Sequence, residues 1–211
     1  MSVRARLAEV RERISQIGRD PAEITIVAVT KGRSVEQCRE AVEAGLADLG
    51  ENRVQEALPK LDALPAVRWH LVGHLQRNKV RLAAGRFVLI QSVDSGELAT
   101  EIARRAPNQH VLLEVNVARE EQKHGCPPEQ AVHLAAEVAE LLPLQGLMCI
   151  GPLSRDPRPA FEELRRLKDE AEQRLGAALP VLSMGMTDDF EAAVAAGSSM
   201  LRLGRLLFEA V

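Results

Sequence analysis

In the stretch "ITIVAVTKGRS" (24–34) an apolar, β-branched run closes on Lys31, a primary amine where a buried strand gives way to a loop opened by Gly32 and Ser34. Such an amine is either a solvated loop residue or a group that adds to a carbonyl. An ordinary lysine pKa of about 10.4 keeps it protonated at neutral pH. Attack on a carbonyl therefore calls for partial burial and a nearby cation, for which Arg33 and Arg202 are the candidates. Far along the chain, "LSMGMTDD" (182–189) and "LRLGRLLFEA" (201–210) bring Ser183, Met184, Gly185 and Thr187 together with Arg202, Gly204 and Arg205. A hydroxyl, small residues that let backbone N–H groups approach, and a planar guanidinium suit an anion such as phosphate. Taken singly, a Ser-x-Gly loop is a turn and Arg202 an ion-pair partner. Together with the amine they point to a phosphorylated carbonyl compound: a sugar phosphate in a Schiff-base aldolase, or pyridoxal 5′-phosphate.

Other reactive residue types are weaker candidates. His70 and His74 have the H-x₃-H spacing of a zinc helix, but position 71 is Leu where a metalloprotease has Glu, and no third ligand is evident. No metal site is expected, and one of these histidines is expected at a pocket edge. "KHGC" (123–126) puts a histidine near a thiol, yet it lies in "AREEQKHGCPP" (118–128), which reads as a polar surface loop. The charge run "EELRRLKDE" (162–170) reads as a solvated helix face.

The elements that must position these groups recur along the whole chain. Apolar runs near 24–29, 46–49, 68–72, 87–91, 110–117, 144–150, 180–183 and 199–203 are each followed by an amphipathic helical pattern. Ser34 and Ser95 suit helix N-caps, Thr187 with Asp188 and Asp189 makes an acidic first turn, and Gly45 and Gly197 suit helix ends. Eight β-then-α units predict a single (β/α)₈ barrel domain over residues 1–211 of TIM type, with a doubly wound open sheet as the alternative. An extra N-terminal helix over 2–17 is expected to cover the wall beside the eighth strand, where the following segment is too brief for a full helix. Sites in such barrels lie at the carboxyl ends of the strands. One mouth is therefore predicted to collect Lys31, Asn52, His70 or His74, Asp94 or Ser95, Asn116, Ser183 with Met184, and Arg202 with Gly204.

Bulk composition narrows the function classes. The 211 residues carry a formal net charge of -3 and are 46% hydrophobic, which suits a soluble core-forming domain and offers no reason to expect nucleic acid or anionic membrane as a partner. Cys38, Cys126 and Cys149 form no C-x-x-C pair, as expected of thiols in a reducing cytosol. Residues 1–20 resemble neither a signal peptide nor a membrane span, so a cytoplasmic location is expected.

The motifs "VAVTK", "GENRVQE", "WHLVGHLQRNKVR", "SVDS", "VLLEVNV", "EEQKHG", "GLMCI" and "LSMGMTDDFEAAVAAGSSMLRLG", in this order, make the chain similar to the pyridoxal phosphate homeostasis proteins, which share the barrel of the alanine racemase N-terminal domain. The resemblance implies a vitamin B6 cofactor, pyridoxal 5′-phosphate, held as a Schiff base on Lys31. It implies Asn52 beside the cofactor, Ser183 and Met184 in the phosphate loop, Arg202 facing the pyridine nitrogen, and the backbone of Gly204 and Arg205 as phosphate donors. Arginine opposite that nitrogen disfavours its protonation, so the ring would be a poor electron sink. The chain contains no tyrosine and is expected to lack the second domain of a racemase, which excludes a lysine–tyrosine two-base racemisation. The resemblance thus implies cofactor holding and release without robust catalysis, by a monomer, with apo enzymes as recipients and a weak amino-acid racemase as the alternative. Two positions depart from the family pattern: Arg205 replaces a common threonine, and Arg33 a common second lysine.

Overall fold

The computed structural model describes residues 1–153 and 156–209. Eight strands close into one parallel barrel in sequence order: β1 (Thr25–Val29), β2 (Asp48–Glu51), β3 (Arg68–Leu71), β4 (Leu89–Val93), β5 (Val111–Glu114), β6 (Leu144–Met148), β7 (Val181–Ser183) and β8 (Met200–Leu203). Closure comes from β1 and β8, which register Thr25 with Met200 and Ala28 with Leu203. The barrel prediction therefore holds, and the open-sheet alternative does not.

Four strands differ by two or more residues from the pattern-based expectation: β4 lies two residues later than 87–91, β6 ends two residues short of 150, and β2 and β5 also depart from it. Strand β2 runs two residues later than 46–49, because the small Gly50 and the charged Glu51 belong to it. Gly50 is needed where a Cβ would stand 2.9 Å from Val27 Cγ1 across the interior, and the charge of Glu51 is answered by Lys60. Strand β5 stops at Glu114, short of 117, as Val115 turns off into an isolated bridge with Cys126.

The outer ring consists of α1 (Val3–Gln16), α2 (Val35–Glu43), α3 (Val54–Ala63), α4 (Val80–Ala83), α5 (Gly96–Arg105), α6 (Pro128–Leu141), α7 (Arg158–Leu175), α8 (Phe190–Ala195) and α9 (Arg205–Phe208). Ser34 caps α2 in a reciprocal box with Gln37, and Ser95 accepts from the Leu98 amide at the start of α5. Helix α8 begins later than expected, at Phe190, leaving Thr187 and Asp188 in the preceding turn. The amphipathic helix α1 buries Leu7, Val10 and Ile14 and hydrogen-bonds the α9 carbonyl of Leu207 through Arg6 Nη1 at 3.2 Å, so it covers the wall beside β8 as expected.

The core has two layers. Helices and the outward faces of the strands form the larger cluster, which includes the buried Cys38, Cys126 and Cys149. Val27, Leu89, Leu112, Met148 and Met200 form the inner one. Unusually for a barrel interior, buried polar groups share that space: Asp48, His70, Gln91, Ser183 and Arg202. A polar group shielded from water persists only with partners.

Candidate functional site

The end of β1 is held by a buried ionic hub. Glu51 is fully buried, and its Oε1 accepts from Lys60 Nζ at 2.5 Å and from Thr30 Oγ1 at 2.5 Å. Lys60 Nζ also donates to the Thr30 carbonyl at 2.8 Å, which pins the residue just before Lys31. Lys60 comes from α3, and only the barrel fold brings it under the β1 loop. Lys31 itself is exposed and has no hydrogen-bond or ion-pair partner among the described residues. This corrects the expectation of a partly buried amine beside a cation. Gly32 (φ +71°) turns the loop outward, Arg33 pairs with Glu209 at 2.6 Å and lies over the Phe208 ring, and Arg202 is committed inside the barrel. Asn52, just past β2, has a buried Oδ1 with no hydrogen-bond partner among the described residues, an acceptor that lacks its donor.

The loops after β7 and β8 lie side by side, joined by a hydrogen bond between Thr187 and Leu206. The Ser183 hydroxyl is fully buried and donates to Gln91 Oε1 at 2.7 Å, while the Met184 amide donates to the Met200 carbonyl at 3.2 Å. The Met184 side chain packs in the outer core. The Ser183 hydroxyl and the Met184 amide thus each have a partner within the protein. The amides of Gly204 and Arg205, by contrast, have no partner among the described residues, and Gly204 is half-buried. Thr187 Oγ1 accepts from the Leu206 amide at 3.3 Å and ties the two loops together, leaving its own proton to donate. The Arg205 guanidinium pairs with the exposed Asp188.

Arg202 projects from β8 into the interior, 4% exposed. Its Nη1 donates to Ser183 Oγ at 2.6 Å and its Nη2 to the Cys149 carbonyl at 2.6 Å. Burial pulls its pKa below the ordinary value, against the nearby Cys149, Glu114 and Asp189. A guanidinium nevertheless stays charged and has no lone pair to offer, so any ligand atom it meets must be an acceptor.

The opposite half of the mouth is a cavity of about 460 Å³ whose lining includes Asn52, Val72, His74, Glu114, Lys123 and His124. Gly73 allows the β2 and β3 loops to meet there, since a Cβ would fall 2.3 Å from the Asn52 carbonyl. The histidine alternatives are now separated. His74 sits at the mouth with Nδ1 3.3 Å from Asp94 Oδ2, whereas His70 is in the barrel interior. Asp94 thus faces His74, while Ser95 caps α5. Asn116 faces its own loop instead of the cavity: its side-chain amide donates to the carbonyls of Glu120 and Lys123, fixing the segment that carries His124.

Burial pushes the Glu114 carboxyl up to about 7, with Arg202 opposing and Asp94 adding to the rise. Burial, then the charge of His124, lowers His74. Cys126 is pushed up to about 12, chiefly by burial, so it forms no nucleophile pair with His124. His124 instead stacks on His74, with ring centroids 3.8 Å apart and planes 8° from parallel. Donor atoms of His74, Asp94 and His124 fall within 4.8 Å of one another. Asp94 is thus a third potential ligand that the sequence did not reveal. Sequence reasoning missed Lys60, Gln91 and Glu114 as functional residues. Polar residues inside otherwise apolar strand or helix faces were the available signal.

A family model described as alanine racemase, N-terminal domain, matches residues 3–210. The chain is 42% identical over 223 residues to the pyridoxal phosphate homeostasis protein of Aquifex aeolicus, covering 99% of this chain and 98% of the relative. The protein of the same name from Escherichia coli K12 is 37% identical, over 97% and 94% of the two chains. Among solved structures, PipY of Synechococcus elongatus with pyridoxal phosphate bound superposes with a TM-score of 0.86 at 34% identity, over 98% of this chain and 100% of PipY. Alanine racemase from Corynebacterium glutamicum shares the fold, with a TM-score of 0.78 at 13% identity over 97% of this chain and 60% of that enzyme.

Proposed function

Because the chain belongs to the pyridoxal phosphate homeostasis protein family, we propose that it binds pyridoxal 5′-phosphate through Lys31 and releases it to apo enzymes in the cytoplasm, without robust catalysis of its own. The residues suit this cofactor. Lys31 Nζ is a free primary amine for the aldehyde, and the amides of Gly204 and Arg205 with the Thr187 hydroxyl are unclaimed donors for the phosphate. The bound cofactor supplies an electrophilic carbonyl carbon and a pyridine ring able to delocalise negative charge.

The observation that carries the non-catalytic reading is Arg202. A buried guanidinium can donate to a pyridine nitrogen but cannot accept its proton, so this chain holds the nitrogen in its neutral form, which delocalises negative charge poorly. No tyrosine exists in the chain to act as an opposing base. The described residues include no helix long and apolar enough to cross a membrane. A monomer in solution completes the proposal.

The test is covalent trapping. Borohydride should fix the chromophore on Lys31, as located by mass spectrometry, and Lys31→Ala should be colourless. An adduct on Lys60, Lys79 or Lys123 would overturn the assignment. The runner-up, a weak amino-acid racemase, draws support from Glu114, a carboxyl at about 7 lining the mouth. Deuterium exchange at a substrate α-carbon at enzyme-like rates would favour it.

A further inference from the structure

The buried polar residues of the barrel interior are connected. Arg202 on β8 donates through Nη1 to Ser183 Oγ on β7 at 2.6 Å, and Ser183 donates to Gln91 Oε1 on β4 at 2.7 Å. Gln91 Nε2 lies 3.1 Å from His70 Nδ1 on β3, and His70 Nε2 lies 2.9 Å from Asp48 Oδ1 on β2. Asp48 is gripped by Arg68 at the amino end of the barrel, with Nε 2.9 Å from Oδ1. The row thus runs from the mouth through the barrel to its far end. Its five members are at most 6% exposed, at 4, 0, 0, 3 and 6% from Arg202 to Asp48, so water does not compete for the bonds.

From the row we infer that Asp48, His70, Gln91 and Ser183 are positioning residues for Arg202, fixing the guanidinium through a chain of hydrogen bonds that all point the same way. The direction follows from the donors and acceptors. An ionised Asp48 only accepts, so His70 Nε2 must carry the proton. Gln91 turns its Nε2 toward the ring at Nδ1, where an amide N–H can only donate, so Nδ1 is the acceptor. The amide oxygen is left to face Ser183, whose proton goes to it, and the hydroxyl lone pair remains for Arg202. With Nη2 held by the Cys149 carbonyl, rotation of the guanidinium would break a buried bond. Arg68 anchors the far end by neutralising Asp48. The chain's effect on the cofactor rests on the function proposed above, but its effect on Arg202 does not.

The experiment therefore has two readouts. In the ligand-free protein, arginine side-chain NMR should show slowly exchanging Arg202 Nη protons. Gln91→Leu should collapse these signals, and Asp48→Asn should broaden them although it lies at the opposite end of the barrel. In the protein loaded with pyridoxal phosphate, both variants should shift the pH dependence of the visible bands. Gln91→Leu should weaken cofactor binding roughly tenfold, the scale of one hydrogen bond to a charged group. Leu112→Ala, an apolar truncation in the same inner layer, should lower thermal stability and move neither readout. The inference is overturned if Gln91→Leu leaves the Arg202 resonances unchanged, or if Leu112→Ala disturbs them equally. Failure of the wild-type protein to take up cofactor would count against the proposed function alone, since the NMR comparison needs no ligand.

Discussion

Glu114 offers a quantitative test of the electrostatics at the mouth. The carboxyl is 4% exposed at the end of β5, and burial is the main cause that pushes it up to about 7 from an ordinary 4.5. A raised folded-state value means that folding favours the protonated acid. Its stabilising effect is fully present below the unfolded value and is lost as pH rises through about 7. The gap corresponds to about 3 kcal/mol at roughly 1.36 kcal/mol for each pH step. Glu114→Gln keeps the shape and removes the titration. Urea unfolding of the cofactor-free protein at closely spaced pH values between 4.5 and 8.5 measures the difference. Wild type and variant should be similar near pH 4.5. The variant should then gain on wild type by roughly 1.4 kcal/mol per pH step through the window, levelling off at about 3 kcal/mol above pH 7. Parallel stability curves would refute the reasoning, because they would mean that Glu114 ionises as easily in the barrel as in the unfolded chain.

Three further outcomes are expected. Lys60→Met should lower stability by roughly 3–5 kcal/mol, since it strands a fully buried Glu51 carboxylate; denaturant unfolding reads it, and the added change Glu51→Leu should recover most of the loss. His124→Ala removes a neighbouring cation and a stacked ring from His74, so the His74 titration, followed by NMR, should move to higher pH than in wild type. Arg205→Ala should leave affinity for pyridoxal phosphate within about twofold, because the guanidinium faces exposed Asp188 and the backbone amide persists; a tenfold loss in a fluorescence titration would show that the side chain reaches the ligand.

Strand order and helix order were legible because their signals are local. β-branched runs such as 24–29 sit between capped amphipathic stretches, and a capping box like Ser34–Gln37 needs only four residues to read. The reading slipped where charge or glycine entered a strand, as at Gly50 and Glu51, whose companions Val27 and Lys60 lie in other elements. At the candidate site, Lys31 and Arg202 were recognisable from type and position. Nothing local reveals that the Ser183 hydroxyl meets Gln91 and the Met184 amide meets the Met200 carbonyl. Similarly, His124 read as a loop residue until the fold set it on His74.

By itself the amino-acid order determined the alternation of strands and helices, the absence of tyrosine, and the placing of an amine and a buried-strand arginine at strand ends. Periodicity and composition need no knowledge of distant neighbours. Only the tertiary structure decided which polar groups are spent inside and which stay free. Barrel closure sets β8 against β1 and aligns Arg202, Ser183, Gln91, His70 and Asp48 across five strands, while leaving Lys31 and the Gly204 and Arg205 amides without partners among the described residues. Hydrogen bonds saturate, and which donor meets which acceptor is fixed only when segments remote in sequence are brought within about 3 Å.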